Sequence, residues 1–566
     1  MENRWSAKPL PNTEIVARLS QEINVSKHIA TILVQREIDT FEKAKQFFRP
    51  SLADLHDPFL MKDMDIAYNR IKTALTNQEK MMVYGDYDVD GTTAVSLVYA
   101  YFKTLNQNIE YYIPDRYKEG YGISKMGIDF ASENQITLII ALDCGIRSNE
   151  LIDYANSKGI DFIICDHHLP GDVLPNAKAI LNPKRLDCTY PYKELSGAGI
   201  GFKLIQAYSK KEGFSEEKIL EYIDLVAVSI ASDLVDMRGE NRILAYFGLK
   251  KLNEHPSIGL QALLDGTVAK SKYTIQDIIF GIGPKINAAG RIADAKSAVK
   301  VLIEQDYSTA RQLSRILNDR NDERKELDTD ITKDAISIVE NTPGLLDRKS
   351  IVLRGEDWHK GVIGIVASRM VEQFYKPTIV FSLNDGMYTG SARSVKNFDI
   401  HEAIQSCSQF VEQFGGHKYA AGLSLKRENF EAFAEAFEKV VANTITESSL
   451  VPEVEYDLEI DLNEINEKMM GLIAQMAPFG PGNPVPIFKT NNVTSQNSAR
   501  VLKDKHLKLQ LSGNSRHSYD AIGFGLSEHY HTVSNGSIFN ACYCIEENNY
   551  NGRVSVQLRL KDIKSN

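Results

Sequence analysis

The chain has 566 residues, 43% of them hydrophobic and 25% charged, with a formal net charge of −10. This length is too great for one hydrophobic core and predicts three or four domains of roughly 100–200 residues in an ordinary soluble globular protein. The acidic total argues against a protein that merely coats nucleic acid; it leaves room for a nucleic-acid enzyme with a local basic track and acids committed to metals.

The first ~60 residues read as polar helices, with Pro50 and Pro58 as breaks. An alternation then sets the fold class. Met81–Gly85 is an apolar run ending in an acid-rich turn, and a helical stretch follows from about Thr93 to Thr104. The run NIEYYIP predicts the next strand, Ser124–Asn134 a helix, Thr137–Asp143 a fully apolar strand, Ser148–Lys158 a helix, and Asp161–Asp166 a strand. Short apolar runs alternating with amphipathic stretches of about 10–15 residues indicate βαβ units and a parallel sheet. From about Glu194 to Glu340 the pattern is mainly helical, and the mixed charges of Asn318–Glu326 read as a solvated linking helix. A second α/β segment runs from Ser350 to about Val441, and after Pro452 short alternating runs predict antiparallel strands in a small barrel or sandwich.

The six cysteines, Cys144, Cys165, Cys188, Cys407, Cys542 and Cys544, form no Cys-x-x-Cys pair, so neither a zinc ribbon nor a thioredoxin-like site is suggested. Sparse thiols fit a reducing compartment. The start MENRWSAKPLP lacks an apolar stretch of signal-peptide type, and no run approaches 18 apolar residues. The expectation is a cytoplasmic protein with no membrane partner.

The sharpest local feature is Tyr84-Gly-Asp-Tyr-Asp-Val-Asp-Gly-Thr92. If the backbone stays extended, Asp86, Asp88 and Asp90 share one face and their carboxylates converge. Three uncompensated carboxylates raise one another's pKa, a penalty that a hard divalent cation removes. An EF-hand loop is the rival reading of D-x-D-x-D-G, but its twelfth position is Leu97 rather than a bidentate acid, and a β-type run precedes it. A solvated acidic turn is the plainer alternative. It weakens because Asp143-Cys-Gly145 and Asp166-His-His168 also follow apolar strands, and sites in parallel α/β sheets gather outside the carboxyl ends of strands. Asp233, after the apolar helix Ile223–Ile230, is a fourth acid placed to close the cluster. A mixed Asp/His set suits Mn²⁺ or Mg²⁺ better than structural zinc. Two such ions about 3.5–4 Å apart activate a water and neutralise phosphoryl oxygens. The chain has no G-x-x-x-x-G-K-[ST] loop and no G-x-S-x-G elbow, and Gly197–Gly201 fits no dinucleotide fingerprint well.

In this order the motifs resemble the DHH phosphoesterase superfamily, whose namesake triplet is Asp166-His167-His168. Within it the chain is similar to the RecJ family of bacterial single-strand-specific 5′→3′ exonucleases. The ordered set DYDVDGTTA, LDCGI, CDHH, GIGPKINAAGRI, DWHKGVIGIVASR, SARS and FGGHKYAAG covers nearly the whole chain. The resemblance implies an N-terminal helical segment (1–62), a parallel-sheet DHH domain (63–240) and a helical connector (241–340). A DHH-associated α/β domain (341–450) and a C-terminal OB-fold β-barrel (451–566) complete the expected order.

The resemblance also implies metal-ligand roles for Asp88, Asp90, Asp143, His167 and Asp233, with Asp86 in the same cluster. It sets His168 beside the metals, contacting the scissile phosphate or orienting a ligand. It places Arg116, Ser391, Arg393 and the Gly415-Gly416-His417 turn on the 5′-terminal phosphate, and Asn287 and Arg291 on the strand backbone. Lys503, Lys505 and Lys508, within Arg500–Arg516, would give the tail a basic face; lysines on a solubilising strand face are the plainer alternative. The implied function is hydrolysis of single-stranded DNA from a 5′ end to 5′-mononucleotides with two Mn²⁺ or Mg²⁺ ions, in recombination and in mismatch and base-excision repair. Implied partners are single-strand-binding protein and a RecQ-type helicase. A DHH enzyme of nanoRNase type, acting on short oligonucleotides, and a non-catalytic single-strand-binding relative are the rival functions.

Overall fold

The computed structural model describes every residue except 1, 269, 293, 385, 497, 514–516, 535 and 551–552. It divides into two compact units. One comprises Ala7–Asp319 with Tyr456–Asn566, the other Met1–Ser6 with Arg320–Glu455.

A short strand, β1 (Arg4–Ala7), precedes three helices, Thr13–Glu22, Lys27–Gln35 and Phe41–Phe48. β1 is absent from the predicted elements, whereas the helices fit the expectation. Side chains of Asn12, Ser26 and Thr40 accept backbone N–H groups at the three helix starts, satisfying donors that have no partner within the helix.

The central sheet of the first unit is formed by β2 (Met81–Gly85), β3 (Ile109–Tyr112), β4 (Leu138–Leu142), β5 (Asp161–Cys165) and β6 (Ala179–Leu181). All its pairings are parallel, and the order is β3-β2-β4-β5-β6. Its strands lack polar alternation because both faces are covered. Met81, Val83, Leu138, Ile140, Leu142 and Ile163 enter one core, while Met82, Tyr84, Ile139, Ala141, Phe162 and Ile164 enter another on the opposite side. The chain leaves β2 toward β3 and then returns to the other side of β2 with β4. That reversal opens a crevice at the carboxyl ends of β2 and β4, the position at which open α/β sheets bind ligands.

In the second unit, β7 (Ile351–Gly355), β8 (Thr378–Asn384), β9 (Met387–Arg393), β10 (Gln413–His417) and β11 (Ala420–Lys426) form a sheet ordered β10-β11-β9-β8-β7. Only β7 and β8 are parallel; the rest pair antiparallel. The predicted linking helix is real and long, Tyr307–Asn341, and the boundary between units falls within it. β12 (Glu453–Tyr456) pairs with β1.

The tail contains β13 (Leu458–Glu459), β14 (Phe488–Val493), β15 (Arg500–Leu502), β16 (His506–Ser512), β17 (Ser518–Gly523), β18 (Phe539–Tyr550) and β19 (Arg553–Ser565), in one seven-stranded sheet. The all-antiparallel expectation needs correction, since β13–β14 and β17–β19 are parallel. Parallel pairs need crossovers, and here β17 reaches β19 through a helical turn at Tyr530–Val533 and the intervening β18. One isolated bridge, Thr494 with Ser512, joins the residue after β14 to the end of β16.

The N-terminal helices do not build a core of their own. Leu19, Ile29, Ile32, Leu33 and Phe47 share one with Leu458, Phe488, Leu507, Tyr543 and Leu558 of the tail. Buried arginines fasten this junction. Arg36 donates to Asn483 Oδ1 at 2.5 Å and to the Pro484 carbonyl at 2.6 Å. Arg242 donates to the carbonyls of Phe47, Met476 and Ala477 at 2.9–3.0 Å, with its guanidinium 3.8 Å from the Phe47 ring centroid. Among the described residues no helix is long and apolar enough to cross a membrane.

Arg242→Met keeps the stem but leaves several buried carbonyls without a donor. The expected loss is roughly 2–5 kcal/mol, read as a fall in the thermal midpoint of the first unit. An unchanged midpoint would remove Arg242 from the forces holding the N-terminal helices to the tail.

Candidate metal centre

Three strand ends and one helix end converge on a single buried site. The Asp86–Asp90 segment is not extended, contrary to the expectation of alternating carboxylates on one strand face. The helix begins at Val89, four residues before the predicted start, and runs to Lys103. Asp88 is its N-cap, accepting from the Gly91 N–H at 3.0 Å, and Asp90 lies in its first turn. Convergence therefore comes from a strand-to-helix turn. It requires Gly91, because a Cβ there would lie 2.4 Å from the Asp86 carbonyl oxygen.

Asp90 is buried and points at the start of the helix Gly197–Glu212. Its carboxylate accepts from the N–H groups of Gly197 (2.7 Å) and Ala198 (2.8 Å) and from Ser229 Oγ (2.6 Å). A helix N-terminus favours an anion through these free donors and its dipole. The Gly197–Gly201 run, which binds no dinucleotide by its pattern, thus holds the cluster's own carboxylate. A Cβ at Gly197 would come within 2.7 Å of Asp143 Cβ.

Asp143 follows β4 with φ +58°. A left-handed aspartate costs roughly 1–2 kcal/mol, and its N–H is held by the Cys165 carbonyl at 2.9 Å. His167 Nε2 lies 3.1 Å from Asp143 Oδ1, 3.6 Å from Asp233 Oδ2 and 3.7 Å from Asp90 Oδ2. Asp233 caps the C-terminal end of the helix Ile223–Ser232. Two donor groups result, Asp143–His167–His168 and Asp90–His167–Asp233, each with ligand atoms within 4.8 Å of one another. They share His167.

The electrostatics fit a cation. Burial, then the neighbouring charge of Asp88, pushes the Asp86 carboxyl well above the ordinary carboxylate range. Burial and the charges of Asp90, Asp88 and Asp233 do the same to Asp143. Asp88 is raised by burial and Asp90, and Asp233 is pushed up to about 8 by burial, Asp90 and Asp88. Asp86 Oδ2 and Asp143 Oδ1 are buried and make no hydrogen bond. Buried carboxylate oxygens without donors are costly unless a cation meets them. The donor set therefore fits hard divalent ions.

The two histidines differ. Burial holds the His167 imidazole below its ordinary value, against the pull of Asp90, which favours the neutral ligand form. Burial is the largest influence and opposes charge on His168, but the hydrogen bond to Asp166 and the charges of Asp166, Asp233 and Asp90 together outweigh it and raise the group. Asp166 Oδ1 is 2.7 Å from His168 Nδ1 and accepts from the His168 N–H, while Oδ2 accepts from the Ile146 N–H. Asp166 thus orients its neighbour instead of joining either donor group. His168 Nε2 lies 3.3 Å from the Tyr121 hydroxyl, which also donates to the Asp143 carbonyl.

The arginine expectations on this unit gather at Tyr87. The Arg116 guanidinium is 4.9 Å from the Tyr87 ring centroid. Burial pushes the Tyr87 hydroxyl up to about 12, and the charges of Arg116 and Arg291 both oppose that. Asn287 and Arg291 lie four residues apart on the helix Gly283–Ile292, and Tyr117 donates to the Arg291 carbonyl.

On the second unit, strand register brings the other expected residues together. Ser391 (β9), Gly422 (β11) and Gly415 (β10) form one row across the sheet, and Arg393, Ala420 and His417 the next row on the same face. Gly416 lies between the rows with φ +143°. Arg393 Nη1 donates to Ser391 Oγ at 3.0 Å, and a Cβ at Gly364, in the first turn of the helix Ile363–Phe374, would lie 2.9 Å from both side chains.

Sequence reasoning missed Tyr121, Tyr87, Ser229 and the Gly197–Ala198 amides. The Ser196-Gly-Ala-Gly string carried a helix-start signal, since Ser196 is an N-cap. The identity of the anion it faces was not local information.

Metal binding must displace protons from the raised carboxyls. Because burial and the charges of Asp90 and Asp88 push the Asp233 carboxyl up to about 8, Mn²⁺ affinity should increase from pH 6 to pH 8 by roughly tenfold per pH unit for each proton released. Calorimetry in buffers of different ionisation enthalpy measures this directly. Affinity independent of pH, with no proton release, would contradict the assignment.

Comparison with known proteins gives the site a family. The chain matches the DHH family N-terminal domain at 80–230, the DHHA1 domain at 347–443 and the RecJ OB domain at 456–562. It is 35% identical to the single-stranded-DNA-specific exonuclease RecJ of Bacillus subtilis over 99% of this chain and 70% of that one. Identity to the Escherichia coli RecJ exonuclease is 32%, over 89% of each chain. The Thermus thermophilus RecJ solved in complex with Mn²⁺ superposes with a TM-score of 0.83 at 25% identity, covering 100% of this chain and 80% of that one. The chain belongs to the RecJ family of DHH phosphoesterases.

Proposed function

We propose that this protein is a metal-dependent exonuclease of single-stranded DNA that degrades the strand from its 5′ end and releases 5′-mononucleotides. The observation that carries this reading is the convergence of Asp90, Asp143, His167 and Asp233 around oxygens that lack hydrogen-bond donors. Relatives named single-stranded-DNA-specific exonucleases, aligned over most of the chain, support the substrate class.

Asp86, Asp88, Asp90, Asp143, His167 and Asp233 would hold Mn²⁺ or Mg²⁺. Bound there, the ions supply positive charge that activates the attacking water and offsets the phosphoryl oxygens. The protein's own groups do the positioning. The Gly197 and Ala198 amides fix Asp90, and Asp166 orients His168 and favours its proton, so that His168 can donate to a phosphoryl oxygen. Arg116 would contact the 5′-phosphate near the acid loop, and Asn287 and Arg291 would grip the strand backbone. Ser391, Arg393 and the Gly415-Gly416-His417 turn would receive a terminal phosphate, which suits an arginine fork beside accessible amides.

The tail supports a long strand over a dinucleotide substrate. Arg500 pairs opposite Lys508 across β15 and β16, so both share the outward face, and Lys503 and Lys505 lie in the hairpin turn between the two strands. The His506 ring packs 5.3 Å from the exposed Phe524, an aromatic beside the basic face as single-strand grooves require. Arg516, at the end of that stretch, lies outside the described residues. All six cysteines are free and buried, which supports a reducing cytoplasm, and contacts with single-strand-binding protein and a RecQ-type helicase complete the proposed setting in recombination and repair.

Two measurements test the chemistry and the polarity. Asp143→Ala should lower hydrolysis of end-labelled single-stranded DNA in Mn²⁺ by at least roughly a thousandfold, about 4 kcal/mol of transition-state stabilisation, while strand binding persists; wild-type rates would refute the metal role. A block at the 5′ end should stop digestion and a 3′ block should not. Arg393→Ala should cut the preference for a 5′-phosphate by roughly 10- to 150-fold, and an undiminished preference removes Arg393 from the phosphate site.

A further inference from the structure

The polypeptide enters the helix Gly283–Ile292 through one π-helical turn, Ile278–Ile282. Such turns are rare and are frequently found at functional sites. Ile278, Ile282, Gly283, Lys285, Ile286 and Ala288–Gly290 are buried, Phe280 is exposed, and Pro284, Asn287 and Arg291 are among the partly open positions, with Ile279, Gly281 and Ile292. Residues spaced four, three and four apart lie on one helical face. That face carries Phe280, Pro284, Asn287 and Arg291.

Both ends of the segment are tied to the metal centre. At one end a Cβ on Gly290 would lie 2.9 Å from the Tyr87 carbonyl oxygen, within the acid loop. At the other, a Cβ on Gly283 would lie 3.1 Å from Ser232 Oγ, next to Asp233. Phe280 nevertheless stands 79% exposed, far from what an apolar ring of its size prefers.

We propose that Phe280 is a stacking platform for a base of the bound single strand, set on the same face as the backbone-gripping Asn287 and Arg291. The inference rests on the proposed function and extends it to a residue with no hydrogen-bonding or charged role. Eleven residues of helix separate Phe280 from Arg291 by about 16 Å, at most about five nucleotide steps of a stacked strand. A π-face accepts every base, as an exonuclease that consumes any sequence requires. An aromatic at this distance would also hold the strand in place while the terminal nucleotide departs.

The test compares wild type, Phe280→Ala and Phe280→Trp, with KM and kcat measured on a 5′-phosphorylated 12-mer and on a dinucleotide. Phe280→Ala should raise KM for the 12-mer roughly 5- to 150-fold with kcat retained, leave the dinucleotide unaffected, and be rescued by Phe280→Trp. In the inactive Asp143→Asn background, 2-aminopurine placed at nucleotides two to six should be quenched at one position, and Phe280→Ala should abolish that quenching. A KM for the 12-mer within about twofold of wild type, an equal loss on the dinucleotide, or no rescue by Trp overturns the stacking role. Failure of the wild-type protein to digest single-stranded DNA would instead overturn the functional reading on which it rests.

Discussion

Negative charge concentrated without a counter-charge is the constraint around which the first unit is organised. Asp86, Asp143 and Asp90 are buried, with Asp88 and Asp233 beside them, and no lysine or arginine forms an ion pair with any of the five among the described residues. Desolvating even one carboxylate is costly unless it is paired or hydrogen-bonded. Only Asp90 receives full compensation from the protein, through two amides and a hydroxyl. The others are raised in pKa or left with oxygens that no donor meets. Such a cluster is a poor way to stabilise a fold and a good way to bind divalent cations.

The scaffold makes this tolerable through rigidity. Five parallel strands buried on both faces fix where each loop begins. The close approaches at Gly91 and Gly197 leave the acid loop and the helix start little freedom. A pre-organised cage loses little entropy when an ion enters, and its electrostatic strain is relieved by the ion itself. The second unit follows a different logic. Its candidate phosphate site uses antiparallel register to align Ser391 with Gly415 and Arg393 with His417, without buried acids. Glycine at both Gly415 and Gly422 clears the sheet face in front of Ser391, leaving backbone accessible there.

Much of this was legible in the sequence because the responsible signals are local. Apolar runs such as Leu138–Leu142 are continuous since both sheet faces are covered, and the acids that end them stand at the carboxyl edge by topology alone. Other features depend on tertiary contacts. The helix start at Val89 is set by Asp88 capping and by Gly91 packing on Asp86, so the extended-strand picture gave the right residues by the wrong geometry. The partnership of Asp90 with Gly197 and Ala198 spans more than a hundred residues. The N-terminal helices were readable as amphipathic, but their partner, the apolar face of a β-sheet more than four hundred residues away, was not. The tail's two parallel pairings were hidden for a related reason: alternation specifies a strand's faces and says nothing of its neighbour's direction.

The central claim is that these separated carboxylates and His167 form one metal cage. Anomalous diffraction at the manganese edge, from crystals of the protein soaked in Mn²⁺, measures it directly. The account predicts anomalous peaks bracketed by Asp90, Asp143, His167 and Asp233. Peaks only elsewhere, with His167 turned away from the three aspartates, would contradict it.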